Sequence, residues 1–313
     1  MQKTIKVFAP ATVANVTCGF DILGFAVDAP GDEVILSLNS TSTVRILEIT
    51  GDDGQLPLDP LKNTVSVAIL HMLKFLNSNQ GVDIVLHKRM PLGSGLGSSA
   101  ASSAAGVVAL NHLLDCHLSK RQLVMFAMEG ERVACGSAHA DNVAPAIFGG
   151  FTLIRSSHPL DTLDVISINT PKDLYCSIIH PNIKINTWVA RGILNPMIKL
   201  TDAVTQWGNV AGLIAGLMSD DYALIARSLT DVIVEPLRAK LIPGFYDIKN
   251  AALEAGALGV GISGSGPAIF ALSNSQAVAT KVVAKMQESA ATAQLLSETY
   301  VSKINSNGVK IID

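Results

Sequence analysis

Residues 91–103 read Pro91-Leu92-Gly93-Ser94-Gly95-Leu96-Gly97-Ser98-Ser99-Ala100-Ala101-Ser102-Ser103, and an alanine-rich run of helical character follows. A glycine- and serine-rich loop therefore opens a helix. Gly93, Gly95 and Gly97 have no Cβ, so the backbone there can take positive φ and come close to an anionic ligand. The unpaired N–H groups of a helix start can face that ligand, which is the arrangement of a phosphate cradle. The hydroxyls of Ser98 and Ser99 stand at its mouth. A tight turn into a helix of small residues is the competing interpretation, since such loops are weak motifs in isolation.

The spelling of the loop narrows the choice. A dinucleotide fingerprint needs glycine three places after its second glycine, but Ser98 stands there after Gly93 and Gly95. The mononucleotide P-loop ends in Gly-Lys-Ser or Gly-Lys-Thr, and this loop contains no lysine. The protein-kinase loop lies in a hairpin, whereas this one opens a helix. No Gly-x-Ser-x-Gly nucleophile elbow occurs in the stretch. A phosphate loop of another kind remains.

Global properties bound the rest. With 313 residues the chain can bury a sizeable core, as two domains or one large one. Its 23 basic and 26 acidic residues give a net charge of −3 with no basic block, which argues against a nucleic-acid partner. The four cysteines, Cys18, Cys116, Cys135 and Cys176, are scattered without a Cys-x-x-Cys, so neither a disulfide scaffold nor a zinc site is expected. A reduced, cytoplasmic setting fits. The first ten residues lack the apolar core and cleavage site of a signal peptide, and no apolar run is long enough to span a bilayer. No membrane partner is expected.

Along the chain, strand-like segments at Ile5–Phe8, Val34–Leu38, Val44–Ile49 and Val82–Leu86 alternate with helix-like ones, the first over Thr64–Asn77. The cradle helix, Ser98 to about Leu114, carries Val107, Leu110 and Leu114 at spacings of three and four and is expected to bury one face. A second helix over Lys120–Ala134 follows the capping candidate Ser119. Phe148–Ile154 reads as a closing strand, and the polar stretch Arg155–Asp161 as the domain boundary. The second half adds helices near Asp202–Met218 and Ile248–Glu254, then a second glycine-serine turn, Gly261-Ile-Ser-Gly264-Ser265-Gly266-Pro267. The fold class is mixed α and β.

Three segments in this order resemble the motifs of the GHMP small-molecule kinases: Ala9-Pro10 through Asn15 to Gly19-Phe20-Asp21, the cradle, and the late Gly261–Pro267 turn. Further stretches are similar to the homoserine kinase branch of that family: Asp59-Pro60-Leu61-Lys62-Asn63, His139-Ala-Asp141-Asn142-Val-Ala-Pro145, Phe148–Phe151, and Glu235-Pro236 through Arg238 to Pro243. The resemblance covers essentially the whole chain. It implies an α+β fold of two domains, residues 1–155 carrying the ATP phosphate loop and 156–313 the ferredoxin-like, substrate-side unit, with the active-site cleft between them. It implies ATP-dependent phosphorylation of the side-chain hydroxyl of L-homoserine, a step towards threonine, with ATP and Mg2+ as cofactors and a homodimer as the assembly. Threonine, which shares the zwitterion and a hydroxyl, is then a candidate competitor.

The resemblance also implies residue roles. Pro91 to Ala101 hold the nucleotide phosphates, and Asn63 lies on the adenine side. Ser99 and Glu131 form the metal pair, since Mg2+ takes oxygen ligands and keeps several waters. Arg191 and Arg238 match the carboxylate-binding arginines, a guanidinium fork suiting a carboxylate better than an ammonium does. Asp21 and Asn15 match the positions that hold the amino and hydroxyl end, and His139, Asn142 and Thr187 match further substrate contacts. Direct attack by the hydroxyl, oriented by Asn15 and Asn142 without a dedicated base, is the expected mechanism, because phosphoryl transfer rests mostly on positioning and charge stabilisation. Thr17 departs from the family pattern, which has glycine at that place, so a stiffer loop is expected.

Taken singly, these residues have ordinary interpretations. Arg191 and Arg238 are equally surface arginines. Asn15 is a turn cap, Asn63 a helix cap, His139 a structural histidine, Asp21 a strand acid turned from the core, and Glu131 a solvated helix residue. A kinase of another small alcohol and a non-enzymatic nucleotide-binding regulator are the remaining alternatives, since fold alone does not fix function.

Overall fold

The computed structural model describes residues 3–136, 139–156 and 163–312. The chain runs β1 (Thr4–Ala14), β2 (Leu23–Asn39), β3 (Val44–Thr50), α1 (Thr64–Phe75), β4 (Gly81–His87), α2 (Ser98–Leu113), α3 (Lys120–Cys135), α4 (Ala140–Phe148), β5 (Phe151–Ser156) and β6 (Leu163–Ile168). It continues with β7 (Tyr175–Pro181), α5 (Thr187–Gly192), α6 (Leu200–Met218), α7 (Tyr222–Ser228), α8 (Glu235–Arg238) with a 3-10 turn over Ala239–Leu241, and α9 (Phe245–Glu254). Strands β8 (Gly259–Ile262) and β9 (Ile269–Ser273), helix α10 (Gln276–Thr292), and strands β10 (Ser297–Lys303) and β11 (Lys310–Ile311) complete it. The architecture is α+β.

Two sheets organise these elements. In the first, the order β11-β1-β2-β4-β3 is extended by β5, which pairs with β2, and by β6, which pairs with β5; only β3 and β4 run parallel among the pairs of this sheet. The second is antiparallel, in the order β10-β7-β9-β8. β6 and the C-terminal β11 thus add to the first sheet from beyond residue 155. Residues 157–162, most of which belong to the Arg155–Asp161 stretch expected to divide the chain, lie outside the described residues.

Local chemistry accounts for the helix ends. Asn63 caps α1 by accepting the Val65 N–H, and Ser119 and Gln122 form a reciprocal capping box on α3. α4 lies where the sequence showed motif residues but no periodicity; Gly149 and Gly150, at φ 78° and 63°, end it and start β5 at Phe151 rather than Phe148. α2 departs from the one-faced expectation: twelve of its sixteen residues are buried, because alanine, serine and glycine let α1, α3, α4 and the first sheet approach on several sides.

Strand β9 shows how the second sheet joins two cores. Phe270 and Leu272 point into the main core, and the alternate Ile269 and Ala271 into a second one with α9 and α10. Phe270 meets Phe25 of β2 edge-on at 5.8 Å, and Phe25 stacks on Phe151 at 4.6 Å. Apolar packing therefore bridges the two sheets directly beside the late glycine-serine turn.

Candidate active site

Between these layers lies a cleft of about 380 Å³, within the range of small-ligand sites. Its floor is the 93–99 loop. Gly93, Gly95 and Gly97 take φ of 67°, 83° and 69°. At Gly97, the residue before α2, a Cβ would also overlap Thr12 Oγ1, so both conformation and space require glycine. The first bond of α2 runs from the Ala101 N–H to Gly97 O, which leaves the N–H groups of Ser98, Ser99 and Ala100 without an intrahelical acceptor.

Leu92, Gly93, Ser94, Gly95, Gly97, Ser98 and Ser99 line the cleft. Pro91, Leu96, Ala100 and Ala101 do not; the last three are buried in the core, and the Ala101 N–H is taken by the helix. Of the two mouth hydroxyls, Ser98 turns away and donates to Asp32 at 3.0 Å, leaving Ser99. A lysine just beyond β4 lies beneath the loop. Buried Lys88 pairs with Asp32 and donates to Ser98 O and Ser102 Oγ, both at 2.9 Å, which uses all three ammonium protons. Asp32 also accepts the Arg89 and Met90 N–H groups. The pair braces the first turn of α2 from beneath.

Glu131 is not a solvated helix residue. It is buried against the cleft, Oε1 has no hydrogen-bond partner, and burial pushes its carboxyl up to about 7 against the lowering effect of the Ser99 hydroxyl and Lys88. An orphaned carboxylate oxygen beside a hydroxyl is the donor chemistry that a hard cation takes, so the pair fits Mg2+ held jointly with phosphates and waters. Asn63 lines the opposite end with Leu56, Pro57 and Lys62, but its side chain is engaged: it caps α1 and donates to Pro57 O at 3.0 Å.

The other end of the cleft is an acid–arginine cluster. Asn15, Val16 and Thr17 are successive left-handed residues at φ 72°, 42° and 58°, and Asp21 follows at 62°. Asn15 ties this loop: Oδ1 accepts the Asp21 N–H, and Nδ2 donates to Gly264 O at 2.8 Å. Its capping role and its place in the cleft coexist. Asp21 accepts from one Arg191 nitrogen at 2.8 and 3.0 Å, and His139 Nδ1 stands 3.8 Å away. Arg238 is 4% exposed; its Nε donates to Ala190 O and one terminal nitrogen to Gly264 O. Among the described residues, one terminal nitrogen of Arg238, and Nε and a terminal nitrogen of Arg191, have no acceptor. Burial lowers the His139 imidazole, with Asp21 opposing that shift. Thr187, at the start of α5, lies 3.4 Å from Ser265 on the same wall.

Asn142 sits between the two ends. Its Oδ1 accepts from Thr12 at 2.8 Å, and the residue lines the cleft. Asp141 beside it is 4% exposed with Oδ1 unpartnered, and burial, then the charges of Asp21 and Glu131, push it up to about 7. The sequence also passed over Lys88, Asp32, Thr12 and Trp188. Asp32 stands beside Glu33 and Lys88 between His87 and Arg89, polar neighbourhoods that give no local signal of a buried pair.

The GHMP kinase N-terminal domain model matches residues 63–150, and the GHMP kinase C-terminal model matches residues 213–292. A homoserine kinase of Chlorobium phaeobacteroides (strain BS1) is 52% identical over 323 residues, covering 99% of this chain and all of that protein. One of Chlorobaculum tepidum is also 52% identical, with 99% of each covered. The crystal structure of homoserine kinase from Cytophaga hutchinsonii, 58% identical, superposes with a TM-score of 0.96 over 100% of this chain and 98% of that one.

Proposed function

The chain belongs to the homoserine kinases of the GHMP kinase family, and from that premise we propose how its cleft is divided between two substrates. The reaction is ATP-dependent phosphorylation of the homoserine side-chain hydroxyl. One observation carries the division: the glycine loop and the acid–arginine cluster line a single cleft, with Asn142 between them against Gly97. The nucleotide takes the loop end, its base near Asn63 and its phosphates on the 93–99 backbone. The amino acid takes the other end, its carboxylate on Arg191 and Arg238 and its ammonium beside Asp21, with Asn15, His139, Asn142 and Thr187 around it.

Ser99 and Glu131 hold Mg2+ in this reading, and the ion when bound neutralises phosphate charge. Asn142 donates to the hydroxyl oxygen and orients a lone pair, since its own carbonyl is taken by Thr12. The hydroxyl oxygen then attacks the γ-phosphorus of ATP without a dedicated base: the new O–P bond forms as the bond to ADP breaks, and the hydroxyl proton passes to an oxygen of the transferred phosphoryl group. The orphaned oxygen of Asp141 favours a second reading, in which Asp141 accepts the hydroxyl proton. The pair Asp141→Asn and Asn142→Ala separates them. Base-free attack predicts that Asn142→Ala lowers kcat by about 100-fold while Asp141→Asn retains turnover within about 10-fold. The reverse ranking, with folding and homoserine binding intact, assigns the proton to Asp141. A coupled ADP-release assay across homoserine, mevalonate, shikimate and galactose tests the substrate itself; turnover of another alcohol above homoserine overturns the reading.

The same proposal includes the division into units 1–155 and 156–313, with β6 and β11 reaching back across it, a cytoplasmic setting, and a homodimer. No helix of the described residues is long and apolar enough to cross a membrane. Support for the dimer is an apolar face from α5 into α6: Trp188, Met197, Leu200 and Trp207 are 66%, 78%, 71% and 61% exposed.

A further inference from the structure

Phe20 does not line the cleft, yet both arginines of the acid–arginine cluster lie on its ring. The Arg191 Cζ is 5.4 Å from the ring centroid and that of Arg238 5.1 Å, although the two arginines come from different helices. Their proximity is unfavourable, since each guanidinium charge opposes the other; burial, and after it the charge of Arg191, lowers the affinity of Arg238 for its proton. An aromatic face attracts both cations. It does so without accepting any of their N–H groups, which a further carboxylate would consume. The backbone on either side of the ring is held: the Asp21 N–H bonds to Asn15, and the Ile22 and Leu23 N–H groups bond to Gly19 O at 3.0 and 2.9 Å.

We propose that Phe20 is a positioning residue for substrate selection, a shared π face that holds Arg191 and Arg238 together so that their remaining N–H donors converge on one carboxylate. The inference rests on the reading that these arginines take the carboxylate of homoserine. A leucine at position 20 fills space without the negative face. It leaves the two guanidinium groups repelling each other, with Arg191 free to follow Asp21 alone.

Steady-state kinetics with L-homoserine and with 3-amino-1-propanol, the same amino alcohol lacking the carboxylate, test the proposal. Phe20→Leu is expected to raise KM for homoserine by about 10-fold, within the range of two cation–π contacts, and to leave KM for ATP and kcat within about two-fold. Its kcat/KM for aminopropanol should equal that of the parent enzyme. Phe20→Tyr should restore KM. Pentafluorophenylalanine at position 20, which keeps the ring and reverses the charge of its face, should behave like leucine and does not depend on the leucine variant folding. An unchanged homoserine KM in the fluorinated protein, or equal losses on homoserine, aminopropanol and ATP, overturns the proposal. Arg191→Met and Arg238→Met in the same assay distinguish the failures. If they penalise homoserine no more than aminopropanol, the carboxylate assignment falls; if they do discriminate and the Phe20 variants do not, the role of Phe20 alone falls.

Discussion

Asp141 shows at a single residue how the site stores tension against stability. Its carboxyl is buried with an unpartnered oxygen and is raised from 3.8 to about 7. The folded protein therefore binds this proton more tightly than the unfolded chain. The penalty is absent below about pH 4, grows as pH rises to about 7, and is complete above it. Asp141→Asn removes the charge and should stabilise the ligand-free protein at pH 8 by up to about 4 kcal/mol, with the gain vanishing near pH 3.5. Urea unfolding at the two pH values measures this; a variant less stable than the parent at pH 8 would show that the carboxylate is paired. Val16 and Thr17 are strained in the backbone, two β-branched residues at φ 42° and 58°. The expectation of a stiff loop there came from residue identity, but three successive left-handed residues did not, because no propensity favours them outside glycine and asparagine.

Among elements, α3 and α2 differ in what their sequences disclose. The Ser119–Gln122 capping box is local, so the start of α3 is readable from four consecutive residues, and Ser119→Ala should cost about 1 kcal/mol. The brace under α2 joins residues 56 positions apart in the chain, Asp32 and Lys88. Nothing in either neighbourhood names the partner. Lys88→Met leaves Asp32 buried and uncompensated, and should destabilise the fold by about 3–5 kcal/mol, whereas Lys88→Met combined with Asp32→Leu should recover much of that loss. Chemical denaturation of the single and double variants provides the check; equal losses in both would mean that the pair does not act as a unit. α2 is buried on more sides than its periodicity implies, since period 3.6 reports its large side chains and says nothing of faces built from alanine and serine.

For the whole molecule, the apolar face between residues 188 and 207 is the feature that a single folded chain does not satisfy. A stable dimer covers about 800 Å² on each partner. Leu200→Glu with Trp207→Glu should convert a dimer into monomers in sedimentation experiments without lowering the melting temperature of the isolated chain. Monomeric behaviour of the parent protein at about 10 µM would remove the proposal. The glycine loop and the starts of α1, α2 and α3 were legible from the chain, because they are written in adjacent residues whose conformational and hydrogen-bonding preferences are local, whereas α4, α5, α7, α8 and α10 were not legible in this way. The three-dimensional fold supplied the rest: Ser98 turned inward to Asp32, Glu131 and Asp141 left buried with unpaired oxygens, and Arg191 and Arg238 gathered on Phe20. Those outcomes depend on burial and on charges brought together from distant segments, and such long-range terms act only once the sheets and helices have packed.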